Sequence, residues 1–377
     1  MKEGNQNQFS TEKASVFSFN FKIRMMSTQK KYDFIGFGEA MVRLTAPDHA
    51  RLEQASHLHV AIAAAELNCS VNISKLGLKT AWVSKLVDIW SGQYIINKGR
   101  EHGVDMSGVK LLPFDGKGTV RNGLCYLEVG IGPRASKQIY DRAHSAISLI
   151  KPGDIDWENL LSQTKWFHTT GITTAISENA ANEAITSLKI AKKLGVTTSF
   201  DLNFRSTLWT SERAKEVMKN VMPYVDVIIG NEEDFEKMLG IKADGGTEAY
   251  ADLDPENYRT VAEKVVKAYP NVQVVGTTLR HVKTAMLNDW QTVMLFKGKY
   301  YVSRKYENLE VLDRTGGGDS FASALICNMI EGRDPEETIQ FSAAYSALCH
   351  GFLGDWNWAT RAEAERVMKG GSARVIR

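Results

Sequence analysis

Cysteine is scarce in this chain of 377 residues: Cys69, Cys125, Cys327 and Cys349 lie far apart and never form a CxxC pair. That spacing excludes a disulfide frame and a thiolate metal site, and it predicts four reduced thiols in a cytoplasmic protein. No apolar run reaches the roughly 20 residues needed to cross a bilayer, so a soluble protein with no membrane partner is expected. Blocks of basic charge are also missing. The 46 Lys and Arg residues against 44 Asp and Glu leave a formal charge of +2, which removes nucleic acid as a principal partner. GxxxxGK[ST] occurs nowhere, excluding a P-loop mechanism, and GFGEAM at Gly36 lacks the third glycine of a dinucleotide fingerprint.

What is present is alternation. The runs YDFIGFG from Tyr32, TAWVSKL from Thr80, KWFHTTG from Lys165, TTSFDLN from Thr197, DVIIGN from Asp226 and VQVVGTT from Val272 read as strands. Between them lie helical patterns such as ENAANEAITSLKIAKKLG, where Ala181, Ala184, Leu188 and Ala191 share a face and Gly195 marks the stop. Strand and helix in turn predict an α/β fold, a doubly wound and mostly parallel sheet flanked by helices. Residues 1–30 are polar, lack a signal-type apolar core, and are expected to be a poorly ordered extension with Met25 or Met26 as alternative starts. Residues 31–377 then form one domain. Two stretches, about 41–62 and 119–145, break the alternation with short extended runs, and a small β-sheet lid over the main sheet is expected from them.

In such sheets ligands bind beyond the carboxyl ends of the strands. That places four polar segments on one rim: Asp201 to Arg205, Gly230 with Asn231, Gly276 to Arg280, and LDRTGGGDSFASA from Leu312. A glycine-rich turn entering a helix aims free N–H groups at an anion. An aspartate beside that anion makes sense as a general base that takes a proton from an attacking hydroxyl. The competing reading of GGGD is a plain helix start with Asp319 as the N-cap.

These residues resemble the ribokinase-type (PfkB) carbohydrate kinase family over nearly all of Tyr32 to Arg377, and within it the 2-keto-3-deoxygluconate kinases. The most specific element is LDRTGGGDSFASALI, similar to the family's C-terminal signature. The resemblance implies a ribokinase-like fold, Asp319 as catalytic base, and N–H groups of Gly316, Gly317 and Gly318 around the transferring phosphoryl. It also implies ATP and Mg²⁺, a sugar acid phosphorylated at its terminal hydroxyl, and a homodimer joined through the lid strands. GNEEDF is similar to the family's NxxE motif, with Asp234 acting on Mg²⁺ through water and Asn231 near the nucleotide; taken alone, NEED reads as an acidic helix N-terminus. Arg205 in DLNFRSTLW, with Tyr140 and Arg142 in YDRAHSA, matches the positions that hold the substrate carboxylate, a role suited to a guanidinium fork. Thr277, Leu279 and Arg280 match the nucleotide-side loop.

The sugar end departs from the family pattern. The substrate helix usually opens GGAxxN; here it reads AAAELN, keeping Asn68 but placing Ala63 and Ala64 where the glycines stand. Arg43 takes the place of an aspartate that binds hydroxyls in neutral-sugar members. Val87-Asp88 replaces the usual GD, and His144 stands where a small residue is common. A fructose-like or 2-keto-3-deoxygalactonate substrate, and a catalytically weak sugar- or nucleotide-binding relative, are the alternatives these departures leave open.

Overall fold

All six apolar runs form strands, and alternate residues of each feed opposite layers of the core. The computed structural model describes residues 30–244 and 254–371. The extension expected before residue 31, with Met25 and Met26, lies outside the described residues except for Lys30. In order along the chain the strands are β1 (Tyr32–Phe37), β2 (Met41–Thr45), β3 (His59–Ala63), β4 (Thr80–Asp88), β5 (Val109–Pro113), β6 (Gly123–Glu128) and β7 (Lys137–Asp141). They continue with β8 (Thr164–Thr170), β9 (Thr197–Asp201), β10 (Val227–Gly230), β11 (Val274–Thr284), β12 (Leu287–Phe296), β13 (Lys299–Val302) and β14 (Tyr306–Glu310).

The large sheet runs β13-β12-β11-β10-β9-β8-β1-β4-β5, with β14 also on β12. From β5 to β11 every pairing is parallel; β12, β13 and β14 add an antiparallel edge. That edge was not among the expected strands. Its connections are too short for a parallel crossover and permit only hairpins. On one face Ile35, Phe37, Phe167, Phe200 and Ile228 pack against helices that include Glu178–Lys193. On the other, Phe34, Trp166, Val227 and Ile229 meet Phe321 and Phe341 from the helices Gly317–Glu331 and Pro335–Cys349. Each fully buried phenylalanine contributes about 1.5–3 kcal/mol of transfer free energy. The Glu178–Lys193 helix buries Ala181, Ala184, Leu188 and Ala191 as its periodicity predicts, and the Ser177 hydroxyl caps it by accepting from the Ala180 N–H.

A separate four-stranded sheet runs β3-β2-β6-β7, parallel only between β2 and β6. The two stretches that break the alternation supply its strands, with β3 running on to Ala63. This small sheet stands across the carboxyl ends of the main strands and forms one wall of a cleft. Among the described residues no helix is long and apolar enough to cross a membrane, and all four cysteines are free and buried.

Candidate active site

The glycine run makes a turn that only glycine enters without strain. Gly316 is the N-cap of the Gly317–Glu331 helix at φ +78°, and a Cβ there would stand 2.1 Å from the Asp355 carbonyl oxygen. Ser320 is the first residue whose N–H reaches back, donating to Gly316 O at 2.8 Å. The N–H groups of Gly317, Gly318 and Asp319 therefore lack intrahelical acceptors, and no side chain caps them. A side chain at Gly318 would meet no protein atom within 4 Å, so the space its absence keeps clear belongs to the cleft. With the positive end of the helix dipole this is an anion site.

The glycine run does start a helix, but Asp319 is its third residue and Gly316 its N-cap, which corrects the reading of Asp319 as the cap. Its Oδ2 accepts from Asn68 Nδ2 at 2.7 Å. The Asn68 amide is held the right way round because its Oδ1 accepts from Trp356 Nε1 at 2.8 Å, and an indole nitrogen can only donate. Burial pushes the Asp319 pKa up to about 6, with the Asn68 bond opposing and the Asp355 charge adding to the rise. A carboxylate of that basicity is ionised at neutral pH and still accepts a proton readily.

Thirty-three residues enclose a cleft of about 620 Å³ in front of this pair. Asp319, Gly316, Gly317, Gly318, Asn68, Ala63, Ala64, Tyr140, Arg142, Arg205, Asn231, Asp234 and Arg280 all line it. Thr277 and Leu279 do not, which corrects the expectation for both side chains. Residues alternate sides along β11, so Thr278 and Arg280 face the cleft while Leu279 is fully buried against Tyr258 and Val293.

Comparison with known proteins agrees with this geometry. The family model described as pfkB family carbohydrate kinase matches residues 33–354. The chain belongs to the pfkB family of carbohydrate kinases. A 2-dehydro-3-deoxygalactonokinase of Haloferax volcanii is 32% identical over 345 residues, covering 92% of this chain and 99% of that protein. A 2-dehydro-3-deoxygluconokinase of Thermoproteus tenax is 28% identical over 340 residues, 89% of this chain and 94% of its own. The crystal structure of a 2-dehydro-3-deoxygluconokinase from Thermotoga maritima superposes with a TM-score of 0.84 at 39% identity, covering 90% of this chain and all of that one.

In this kinase the two ends of the cleft are charged differently. Arg280 and Arg314 stand near the glycine turn, where desolvation and then the like charge of Arg314 lower the Arg280 pKa to about 10. Two cations set against each other suit a polyanion. Under the small sheet Arg142 stacks on Tyr140, 4.7 Å from ring centre to guanidinium, and its Nε lies 3.0 Å from the buried Glu39 carboxylate. Arg205 differs. It is half-buried, and its Nη1 donates to Phe204 O at 2.8 Å. Although no carboxylate among the described residues lies within ion-pair distance, its charge opposes the rise in the Asp201, Asp234 and Asp319 pKa values. Glu39, Glu66 and Trp356 were not among the expected site residues, and Asp201 and Arg314 were expected on the rim only as members of their segments, with no role of their own. Glu66 and Asp201 are buried with raised pKa values, Glu66 to about 7 through burial; a buried carboxylate within a helical or extended run leaves no pattern by which to recognise it.

Asp234 and Asn231 form a reciprocal cap at the start of the Glu232–Leu239 helix. Asn231 Oδ1 accepts from the Asp234 N–H at 3.0 Å and Asp234 Oδ2 from the Asn231 N–H at 2.9 Å. The other Asp234 oxygen accepts from the Phe204 N–H at 2.8 Å and so ties this helix to the loop that carries Arg205. The capping reading of NEED therefore describes the contacts these two side chains make. Among the described residues no group of three His, Cys, Asp or Glu side chains could hold a metal alone. The donor set still fits a divalent cation that arrives with phosphates and keeps most of its waters. Burial, then Asp234, then Asp319 raise the Asp201 pKa, a carboxylate grouping that a cation would relieve.

Ala64 is the N-cap of the Ala65–Lys75 helix at φ −167°, ψ 102°, an extended conformation open to any residue. The turn does not require glycine here; both alanines border the cleft but are buried, Ala63 with Met41 and Cys125 and Ala64 in the cluster with Leu67 and Trp82. The Asn68 N–H is the first in this helix to find an acceptor, Ala64 O at 2.7 Å, so a second helix N-terminus opens on the same space.

Proposed function

We propose that the protein is a cytoplasmic, ATP- and Mg²⁺-dependent kinase that phosphorylates the terminal hydroxyl of 2-keto-3-deoxygluconate, also named 2-dehydro-3-deoxygluconate. The observation that carries the reading is Asp319, held by Asn68 beside three helix N–H groups without intrahelical acceptors. In the transfer step the substrate hydroxyl oxygen bonds to the γ-phosphorus of ATP, its proton passes to Asp319, and ADP leaves. The N–H groups of Gly317 and Gly318, with Arg280 and Arg314, balance the charge on the phosphoryl oxygens. Mg²⁺ would be held by the phosphates and, through water, by Asp201 and Asp234, and it supplies further charge neutralisation. Arg205 grips the substrate carboxylate in a bidentate fork. The small sheet closes as a lid over the sugar and keeps water from the phosphoryl group.

A second reading, 2-keto-3-deoxygalactonate, is favoured by the 32% identity to the Haloferax volcanii galactonokinase. The two acids differ in configuration at one carbon, and two arginines directed at a carboxylate do not distinguish them. An ADP-release assay on both acids, fructose and ribose tests the proposal. Turnover with the gluconate-derived acid is expected to exceed that with either neutral sugar by at least about 10²-fold, the discrimination of a site whose buried charge is left unpaired by the wrong substrate. Turnover on fructose or ribose with neither acid accepted would overturn it.

A further inference from the structure

Behind the glycine turn lies a cluster that the mechanism above does not use. Arg43 sits in the middle of β2 in the small sheet and is only 2% exposed. Its guanidinium leaves the sheet and enters the main body of the protein. Nη2 pairs with Asp313 and Nη1 with Asp355, both buried. Nη1 also donates to Thr315 Oγ1 at 2.5 Å, and Nε to Thr45 Oγ1 at 3.0 Å.

These partners are the frame of the glycine turn. Asp313 Oδ1 accepts from the Thr315 N–H at 3.0 Å and from its hydroxyl at 2.7 Å; Oδ2 accepts from the Gly354 N–H at 3.1 Å. Thr315 immediately precedes Gly316, and the Asp355 carbonyl packs on Gly316 where a Cβ would be. Two buried carboxylates side by side repel each other, and without a cation one must take a proton or move. A fork-shaped cation can bind both and still reach a hydroxyl, which a point charge cannot do equally well. Arg43 itself does not line the cleft, so it is not placed to bind a substrate carboxylate.

We infer that Arg43 is a positioning residue for phosphoryl transfer: its guanidinium is an internal counter-cation that holds the Asp313–Gly316 turn in the shape that opens the anion site, and it ties that turn to the small sheet. Closure of the sheet over the sugar and the form of the phosphoryl site are thereby joined through one side chain. The inference rests on the reading of Asp319 and the glycine run as the phosphoryl site.

The test uses the full chain with Arg43→Ala, Arg43→Lys and the charge-compensated double variant Arg43→Ala/Asp313→Asn. Amide hydrogen exchange over residues 313–320 is measured together with kcat and KM. In Arg43→Ala, exchange over 313–320 is expected to rise at least about tenfold while β9 is unchanged, because a local opening and not global unfolding is involved. The kcat should fall about 10²-fold, the cost of roughly 1 Å of misplacement, with KM for ATP altered far less. Arg43→Lys should recover part of the loss, and millimolar guanidinium ion should raise the kcat of Arg43→Ala. If Arg43→Ala does not fold, the double variant carries the same measurements. Unchanged exchange over 313–320 in a folded variant overturns the inference even where the wild type phosphorylates the sugar acid. Faster exchange there, with no sugar acid turned over by the wild type, leaves Arg43 in its role and removes the substrate reading instead.

Discussion

The two ends of the cleft are built by different means. At the proposed phosphoryl end the glycine-run N–H groups and one carboxylate lie within the four residues Gly316 to Asp319, placed by a turn and the first turn of a helix, with the side chains of Arg280 and Arg314 beside them. At the sugar end, side chains from the small sheet and the loop after β9 meet across long sequence distances, and the charges there are partly spent on one another. Arg142 lies directly against Glu39, whereas Arg205 lines the cleft with no carboxylate in ion-pair distance among the described residues and acts on Asp201, Asp234 and Asp319 from farther off. A site made of backbone tolerates sequence change around it. A site made of long side chains can be re-aimed by single substitutions, so specificity is expected to reside at the second end and rate at the first.

The largest effect should therefore come from one atom at the phosphoryl end. Asp319→Asn is expected to lower kcat about 10³-fold, within the range for removing a general base, while the Kd for ATP stays within a few-fold. In the wild type kcat/KM should fall as pH drops through about 6, where Asp319 takes up a proton. Stability moves the opposite way. The folded protein binds this proton more tightly than the unfolded chain, so raising the pH from 3.8 to about 6 costs stability, and the cost is complete above 6. Asp319→Asn removes a cost on the order of 1–3 kcal/mol, so the variant should melt higher than the wild type at pH 8 and lose that advantage below pH 4. A variant that keeps most of its rate would take Asp319 out of the mechanism and leave the two ends without the contrast drawn here.

The unequal legibility of the two ends has the same physical origin. LDRTGGGDS announces its conformation locally, because glycine omits a side chain for a reason and an aspartate three residues into a helix is conspicuous. The six expected strands between Tyr32 and Thr278 were legible through their apolar runs, as were the alanines of Glu178–Lys193 through period, whereas the half-exposed edge strand β5 was not. Thr277 and Leu279 were misplaced because the right segment was read without its two-residue alternation, which gives the cleft to Thr278 and Arg280. Trp356 and Glu39 were beyond reach: each acts on a partner, Asn68 or Arg142, that only the fold brings near. Arg43 illustrates the point most fully, since its position in β2 was noted from the sequence but its two carboxylate partners lie some 270 and 312 residues away.

An intermediate effect separates the two arginines of the sugar end. Arg205→Gln is expected to raise KM for the sugar acid about 10–100-fold, the equivalent of one charged hydrogen-bonding group at roughly 1.5–3 kcal/mol, with kcat little changed. Arg142→Gln should raise it by less than about tenfold, because Glu39 already absorbs part of the Arg142 charge and that pairing must be given up for substrate. The same variant leaves Glu39 buried without its counter-charge and should lower the melting temperature, as breaking a buried pair does. Steady-state kinetics on both variants decide the order. A larger KM effect from Arg142→Gln would place the carboxylate under the small sheet and reverse the assignment.

The smallest effect is expected where the sequence departs most visibly from its family. Ala63 and Ala64 stand at the end of β3 and at a helix N-cap, and the extended conformation of Ala64 does not call for glycine. Ala63→Gly and Ala64→Gly should each lower stability by less than about 1 kcal/mol through added chain entropy and change KM for the sugar acid by less than about threefold. Both residues border the cleft, so a substrate pressed against that wall would register a change in it. A KM that falls tenfold or more in the double variant would mean the alanines hold the sugar off its site. The weakly catalytic, ligand-binding relative would then gain support, and the division between a rate-setting end and a specificity-setting end would have to be redrawn around the Ala65–Lys75 helix, which carries Asn68 and so reaches both.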